Sequence, residues 1–325
     1  MLKRTLFSCV LALTACLSVP AIAQDYPVMP IHIVIPYAPG GGSDILARPV
    51  GIYLEGSMKQ PVVIDNKGGA GGNIGAEFVA RSAPNGYTLL LANNSQVINQ
   101  FVYKKPGYDM QKDFVPVSLL GTSPTVVVVH KSVPVNSIKE LIDYAQKNPG
   151  KLNFSSAGVG TPGHLAGLLF NKQADTNIVH VAYKGSGPAI MALLSKEVDV
   201  HFATPAAADP YIKSGDFKAL GVTSRERFAQ FPDVPTVAES GVPGLRDYSI
   251  DVWWGLLAPA GTSPQILEKL NMAVAAALRD PKLRDNWLSR GMVPTSNSVS
   301  AYQSLIKSDL QKWEKVVREN SIKVE

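Results

Sequence analysis

The chain has 325 residues, 46% of them hydrophobic, two cysteines and a formal charge of +5. That length can bury a sufficient core without staples and suggests two domains. The charge is mild and scattered, with no like-charge block and no interleaving of aromatic and basic residues, so nothing supports nucleic acid as a partner.

The N-terminus reads as a targeting segment. Lys3 and Arg4 supply a positive start, Leu6 to Val19 is apolar but short for a membrane span, and Ala21-Ile22-Ala23 fits a small-x-small cleavage site. Cleavage after Ala23 would leave Gln24 first. Leu13-Thr14-Ala15-Cys16 offers a second reading, a lipobox in which Cys16 is lipidated. Either way the mature protein is expected to be exported. Both cysteines, Cys9 and Cys16, lie in this segment, so the mature chain has no disulfide, thiol nucleophile or thiolate metal site. Setting aside Lys3 and Arg4 leaves 29 basic against 26 acidic side chains, a surface mildly suited to a small anion.

From there strand-like and helix-like segments alternate, which predicts an α/β fold with mainly parallel sheets. Ile31 to Ile35 reads as a buried strand, followed by Pro36-Tyr37-Ala38-Pro39-Gly40-Gly41-Gly42-Ser43-Asp44 and a helix from Ile45 to Leu54. Three glycines between a strand and a helix permit a tight turn, and the free amides of the first helical turn favour an anion. Ser43 is the expected N-cap. Further strands are expected at Val62–Ile64, Tyr87–Ala92, Thr125–Val129, Leu152–Ser155, Ile178–Val181, Val198–Phe202 and Phe217–Val222. Helices are expected at Gly75–Ser82, Ser137–Gln146, Gly163–Asn171, Pro188–Ser195, Ser263–Arg279 and Ser300–Glu319. In the last of these, Tyr302, Leu305, Ile306, Leu310, Trp313, Val316 and Val317 recur at helical spacing and read as core. No linker separates two domains end to end. The chain is therefore expected to cross between them at Leu119–Thr125 and Tyr248–Ala258, giving domain 1 as 24–122 plus 250–325 and domain 2 as 123–249.

Several strand-to-helix turns are rich in glycine, hydroxyls and amides. They supply the candidate ligand residues: Pro39, Gly40, Gly41, Gly42 and Ser43; Asn73; Asn94 and Ser95; Ser155, Ser156, Gly158, Gly160, Thr161 and His164; Tyr183 and Lys184; Thr204. Ligands bind outside the carboxyl ends of strands in open α/β sheets. Turns of this kind on two facing domains would line a cleft with amides and hydroxyls, which suits a carboxylate without formal positive charge. The glycine run from Gly68 to Gly75 fits a dinucleotide fingerprint poorly, because Ile74 stands where its third glycine belongs, and no Walker loop is present. The five histidines form no metal-binding pair, and no nucleophile elbow occurs. No cofactor is expected. Ser155 and Ser156 have no obvious base beside them; the rival reading is an exported hydrolase using Ser155 or Ser156 with His164. Trp253 and Trp254 either stack on an aromatic ligand or pack at a hinge.

The chain resembles the Bug-type solute-binding proteins of tripartite tricarboxylate transporters. The resemblance rests on Tyr26-Pro27 with Pro30-Ile31, on Pro36-Tyr37 with Pro39-Gly40-Gly41, Asp44 and Ala47-Arg48, and on Asn66-Lys67 with Gly69-Ala70-Gly71-Gly72. It continues through Asn85 to Leu89, Asp113-Phe114 with Pro116-Val117, and His180-Val181 with Tyr183-Lys184-Gly185. Pro232 to Val237 with Glu239, and Trp254-Gly255 with Ala258-Pro259 and Gly261-Thr262, complete it. Gly68 and Ala182 stand where that family usually has proline. The resemblance implies a two-domain, type II periplasmic-binding-protein fold with a ligand cleft between the domains. It implies binding without catalysis. The implied ligands are di- or tricarboxylates, acidic amino acids or aromatic acids, held by Pro39 to Asp44 from one side and by Ser155 to Thr161 and Thr204 from the other. A membrane permease is the implied partner of a monomeric protein. A ligand-sensing subunit serving a signalling partner is the other role open to the same fold.

Overall fold

A computed structural model describes residues 26–319; the expected cleavage and lipidation sites lie outside them. Among the described residues no helix is long and apolar enough to cross a membrane.

Two sheets organise the molecule. The first has six strands in the order β11-β4-β10-β3-β1-β2: β1 Ile31–Ile35, β2 Val62–Asn66, β3 Thr88–Asn93, β4 Phe114–Pro124, β10 Asp251–Pro259 and β11 Val293–Pro294. The second has five in the order β7-β6-β8-β5-β9: β5 Val126–His130, β6 Asn153–Ser156, β7 Val179–Ala182, β8 Val200–Ala203 and β9 Phe217–Val222. The apolar runs dictate this layout. Ile31, Ile33 and Ile35 of β1 and Val126 to Val129 of β5 are buried, as central strands covered on both faces require.

The helices are α1 Gly42–Met58, α2 Asn73–Ala80, α3 Asn94–Val102, α4 Ile138–Lys147, α5 Pro162–Ala174, α6 Ser186–Leu194, α7 Pro205–Lys213, α8 Pro264–Arg279, α9 Pro281–Leu288 and α10 Val299–Glu319. Their register follows local signals where those are strong. Ser263 caps α8 with Pro264 at its first position, and Ser137 caps α4. Tyr302 and Trp313 of α10 are buried in the core, as their spacing predicts.

The mainly parallel expectation is corrected. β1 pairs in parallel with β2 and β3, and β6 with β7 and β8, but β10 runs antiparallel to β3 and β4, β11 to β4, and β5 to β8 and β9. The long strands β4 and β10 carry the chain out of the first sheet and back into it, and a returning strand must oppose its outgoing neighbour. β4 reaches β5 through Thr125, and the return enters β10 from Ile250. Buried Thr223 ties these points together. Its amide donates to the Thr125 carbonyl and its hydroxyl to the Ile250 carbonyl, at 2.9 and 2.6 Å. In return the Thr125 amide donates to its hydroxyl oxygen, at 2.9 Å.

Candidate ligand-binding site

A cavity lies between the two sheets. It is lined by Tyr37, Ala38, Gly41, Gly42, Ser43, Asp44, Asn93, Val252 and Trp254 on the side of the first sheet, and by Pro162, Gly163, Ser186, Phe202 and Thr204 on the side of the second, with Thr125 at the crossing. Its atom-free space, open mouth included, is about 480 Å³, the scale of a small-molecule site.

Helix N-termini converge on it. α1, α5, α6 and α7 begin at Gly41, Thr161, Gly185 and Thr204, and none of these residues caps its helix with a side chain. By contrast α4, α8 and α9 are capped by Ser137, Ser263 and Asp280. α3 also starts at the cavity, capped by Asn93. The amides of a first helical turn have no intrahelical acceptor, so uncapped starts leave donors and the positive end of each helix dipole facing the cavity. The Thr204 hydroxyl is buried without a hydrogen-bond partner.

The expected N-cap is corrected. Gly41 holds the N-cap position, so Ser43 falls inside the first turn, where its hydroxyl oxygen accepts from Trp254 Nε1 at 2.9 Å. Asp44 is the one charged residue lining the cavity among the described residues. Burial opposes its charge, but Arg48, the Gly40 amide and Asn66 outweigh it and hold the carboxyl below its usual range. The Arg48 guanidinium grips it at 2.8 and 3.1 Å, so the pair adds little net charge.

Gly41, Gly42, Ser43 and Thr204 of the expected set line the cavity. Others sit behind it. Pro39 and Gly40 form the preceding turn. Ser95 Oγ accepts from Tyr37 at 2.7 Å, Asn94 bridges the Trp253 amide and Asp309, and Asn73 Oδ1 accepts from Asn99 and Tyr108. Thr161 Oγ1 donates to the Gly158 carbonyl at 2.6 Å, and His164 Nδ1 accepts from the Gly160 amide at 3.1 Å. Tyr183 lies outside the cavity lining and Lys184 is exposed; the Lys184 carbonyl accepts from the Ala38 amide across the two sides, at 3.1 Å.

The two serines do have histidines beside them, contrary to expectation. Ser155 meets His201 and Ser156 meets His180, at 3.1 and 2.7 Å. Both serines are fully buried and away from the cavity lining, and neither pairs with His164, so neither is placed to act on a ligand in the cavity. Burial pushes His164 down to about 3, and His180 and His201 to about 4, so all three are neutral near pH 7.

The Gly68 to Gly75 run serves close packing. A side chain on Gly71 would collide with the Val159 carbonyl, and Gly158 lies against Gly71 itself. Tyr37, Asn93, Thr125, Pro162, Gly163, Ser186, Phe202 and Val252 were missed as lining residues. Tyr37 and Ser186 belong to the glycine-rich turns themselves. Phe202 and Val252 sit within strands, where sequence reads only burial. Of the two tryptophans weighed as ligand-stacking or hinge residues, Trp254 lines the cavity and Trp253 does not.

Two lobes with a cavity between them, on which helix N-termini converge, define a periplasmic solute-binding protein. The sequence model described as the tripartite tricarboxylate transporter family receptor matches residues 46–322, and the chain belongs to that family. It is similar to the solved periplasmic binding protein BugD, with 33% identity, a TM-score of 0.88 and coverage of 92% of this chain and 100% of that one. The R. palustris protein Rpa4515, solved with adipate, gives the same identity, TM-score and coverages. MatC from Rhodopseudomonas palustris, solved with bound malate, is 32% identical with a TM-score of 0.85, over 90% of this chain and 100% of that one.

Proposed function

We propose that this receptor captures a small carboxylate by closing its two lobes on it and delivers it to the membrane permease of a tripartite transporter. The observation that carries the reading is the set of four uncapped helix N-termini, from both lobes, around a cavity that no lysine or arginine lines among the described residues. Oriented amides stabilise a carboxylate at modest desolvation cost, whereas a neutral apolar ligand would leave them unpaired. The adipate and malate complexes of similar proteins favour a dicarboxylate within the wider range of acidic amino acids, tricarboxylates and aromatic acids.

In this reading Gly41, Gly42, Ser43, Ser186 and Thr204 contact the ligand, and the residues behind them hold the turns. The lobes are 24–122 with 250–325, and 123–249. The protein is exported with cleavage after Ala23 and acts as a monomer.

Native mass spectrometry of protein purified gently from a bacterial periplasm, followed by calorimetric titration with di- and tricarboxylic, amino and aromatic acids, tests the proposal. One small carboxylate per chain, with no turnover, is the expected result. A flat response to every acid, from protein stripped of bound ligand and still folded, would overturn it.

A further inference from the structure

Two serine hydroxyls line the cavity from opposite lobes, and their partners give them opposite hydrogen-bonding sense. Ser43 accepts from Trp254 Nε1, a group that only donates, so its own proton stays available to a ligand acceptor such as a carboxylate. Ser186 pairs with His201 Nε2 at 3.4 Å. The His201 tautomer follows from its other side. Nδ1 lies 2.8 Å from the Ser155 carbonyl oxygen, which only accepts, so the imidazole proton is on Nδ1. The Ser155 hydroxyl, 3.1 Å from the same nitrogen, takes a share of that proton and donates its own toward the Ala189 carbonyl. His201 is fully enclosed and neutral, so Nε2 carries a lone pair and Ser186 must donate to it. The Ser186 oxygen then turns its lone pairs to the cavity.

We propose that Ser186, held by His201 as an acceptor, selects carboxylates that carry a hydrogen-bond donor, a hydroxyl or an ammonium, next to the bound carboxylate. The donor must sit close to that carboxylate, because Ser186 packs against the start of α1: a Cβ on Gly41 would lie 3.3 Å from Ser186 Cβ. This rests on the carboxylate-binding reading above and narrows it. A ligand without the donor leaves an acceptor unpaired in a closed cleft, and sites of that kind discriminate strongly against the analogue lacking the partner group. His201 acts as a positioning residue; it does not line the cavity.

The test is calorimetric titration of the mature protein, stripped of bound ligand, with matched sets: malate, aspartate and succinate; 2-hydroxyglutarate, glutamate and glutarate; 2-hydroxyadipate, 2-aminoadipate and adipate. Within whichever set the cleft accommodates, a hydroxy or amino acid should bind about tenfold or more tightly than its unsubstituted partner. Comparison of the hydroxy and amino members tells which donor it takes. Ser186→Ala should collapse that ratio. His201→Asn, which offers the Ser155 carbonyl a donor but Ser186 no acceptor, should do the same. His201→Gln, with an amide oxygen able to reach the Nε2 position, should restore part of the ratio, which a merely structural role would not do. Equal affinity for substituted and unsubstituted acids in the unmodified protein, or an unchanged ratio in folded Ser186→Ala, would overturn the inference while leaving carboxylate binding standing. No binding to any of the nine would overturn the inference, and a flat response across the wider acid panel would take the carboxylate reading with it.

Discussion

Gly42 sits where the two lobes touch, and its missing side chain is what lets them. A Cβ there would collide with the Thr204 hydroxyl and lie 3.0 Å from Thr204 Cβ and 3.1 Å from Thr204 Cγ2; turning the hydroxyl aside leaves the contact with Thr204 Cβ. Alanine suits the first turn of a helix better than glycine does. Gly42→Ala should therefore keep circular dichroism and melting temperature near normal while weakening ligand affinity about tenfold or more in titration, since the lobes can no longer approach. The histidines behave as a residue-scale device of another kind. His164, His180 and His201 stay neutral in the fold down to about pH 3 to 4, whereas in the unfolded chain they bind protons below about 6.5. The unfolded state thus holds more protons throughout that window, and stability falls as pH falls. Thermal melts from pH 7 to pH 5, above the range where carboxylates titrate, should show a steady loss, of order 1–2 kcal/mol for each group. A flat melting temperature over that span would show that these rings admit water. The presence of these histidines is legible in the sequence, but their enclosure is not, because His164 on α5 meets His180 on β7, and His201 on β8 packs against Ser155 of β6, from distant stretches.

The elements differ in how much local sequence controls them. α8 and β9 have the bounds their patterns predict, because proline, caps and apolar runs act within a few residues. α1 starts three residues before its predicted beginning and runs four past Leu54, through Pro49. Glycine is a poor helix former, and only packing against the opposite lobe makes a Gly42 start favourable. The hinge is decided the same way. Thr223 stands just after β9, and nothing in its neighbourhood marks it, yet it is hydrogen-bonded to both crossing points. Thr223→Val keeps the shape and removes the hydroxyl, leaving the Thr125 amide and the Ile250 carbonyl each short of a partner. Chemical denaturation should show a loss of about 1–3 kcal/mol.

For the whole molecule the consequence is a cleft whose walls come from both lobes and whose floor is the strand crossing. A ligand that bridges both walls stabilises the native state by mass action. At a ligand concentration of about one hundred times Kd, the gain should be about 2.7 kcal/mol, visible as a raised melting temperature. Gly42→Ala should lose about half of that gain or more at the same concentration. An equal gain in both proteins would place the ligand elsewhere.

The sequence by itself determined the export signal as an expectation, the alternation of strands and helices, the amide-rich turns and the family, because each is carried by neighbouring residues or by motifs in order. It did not determine strand direction in the mixed sheets, the uncapped starts aimed at one cavity, or which turn residues face a ligand and which stand behind. Ser43 and Ser186 are both serines beside glycine; only tertiary structure puts Trp254 Nε1 against one and His201 Nε2 against the other. Hydrogen-bond sense belongs to the partner, and the partner lies 211 residues away in the first case and 15 in the second.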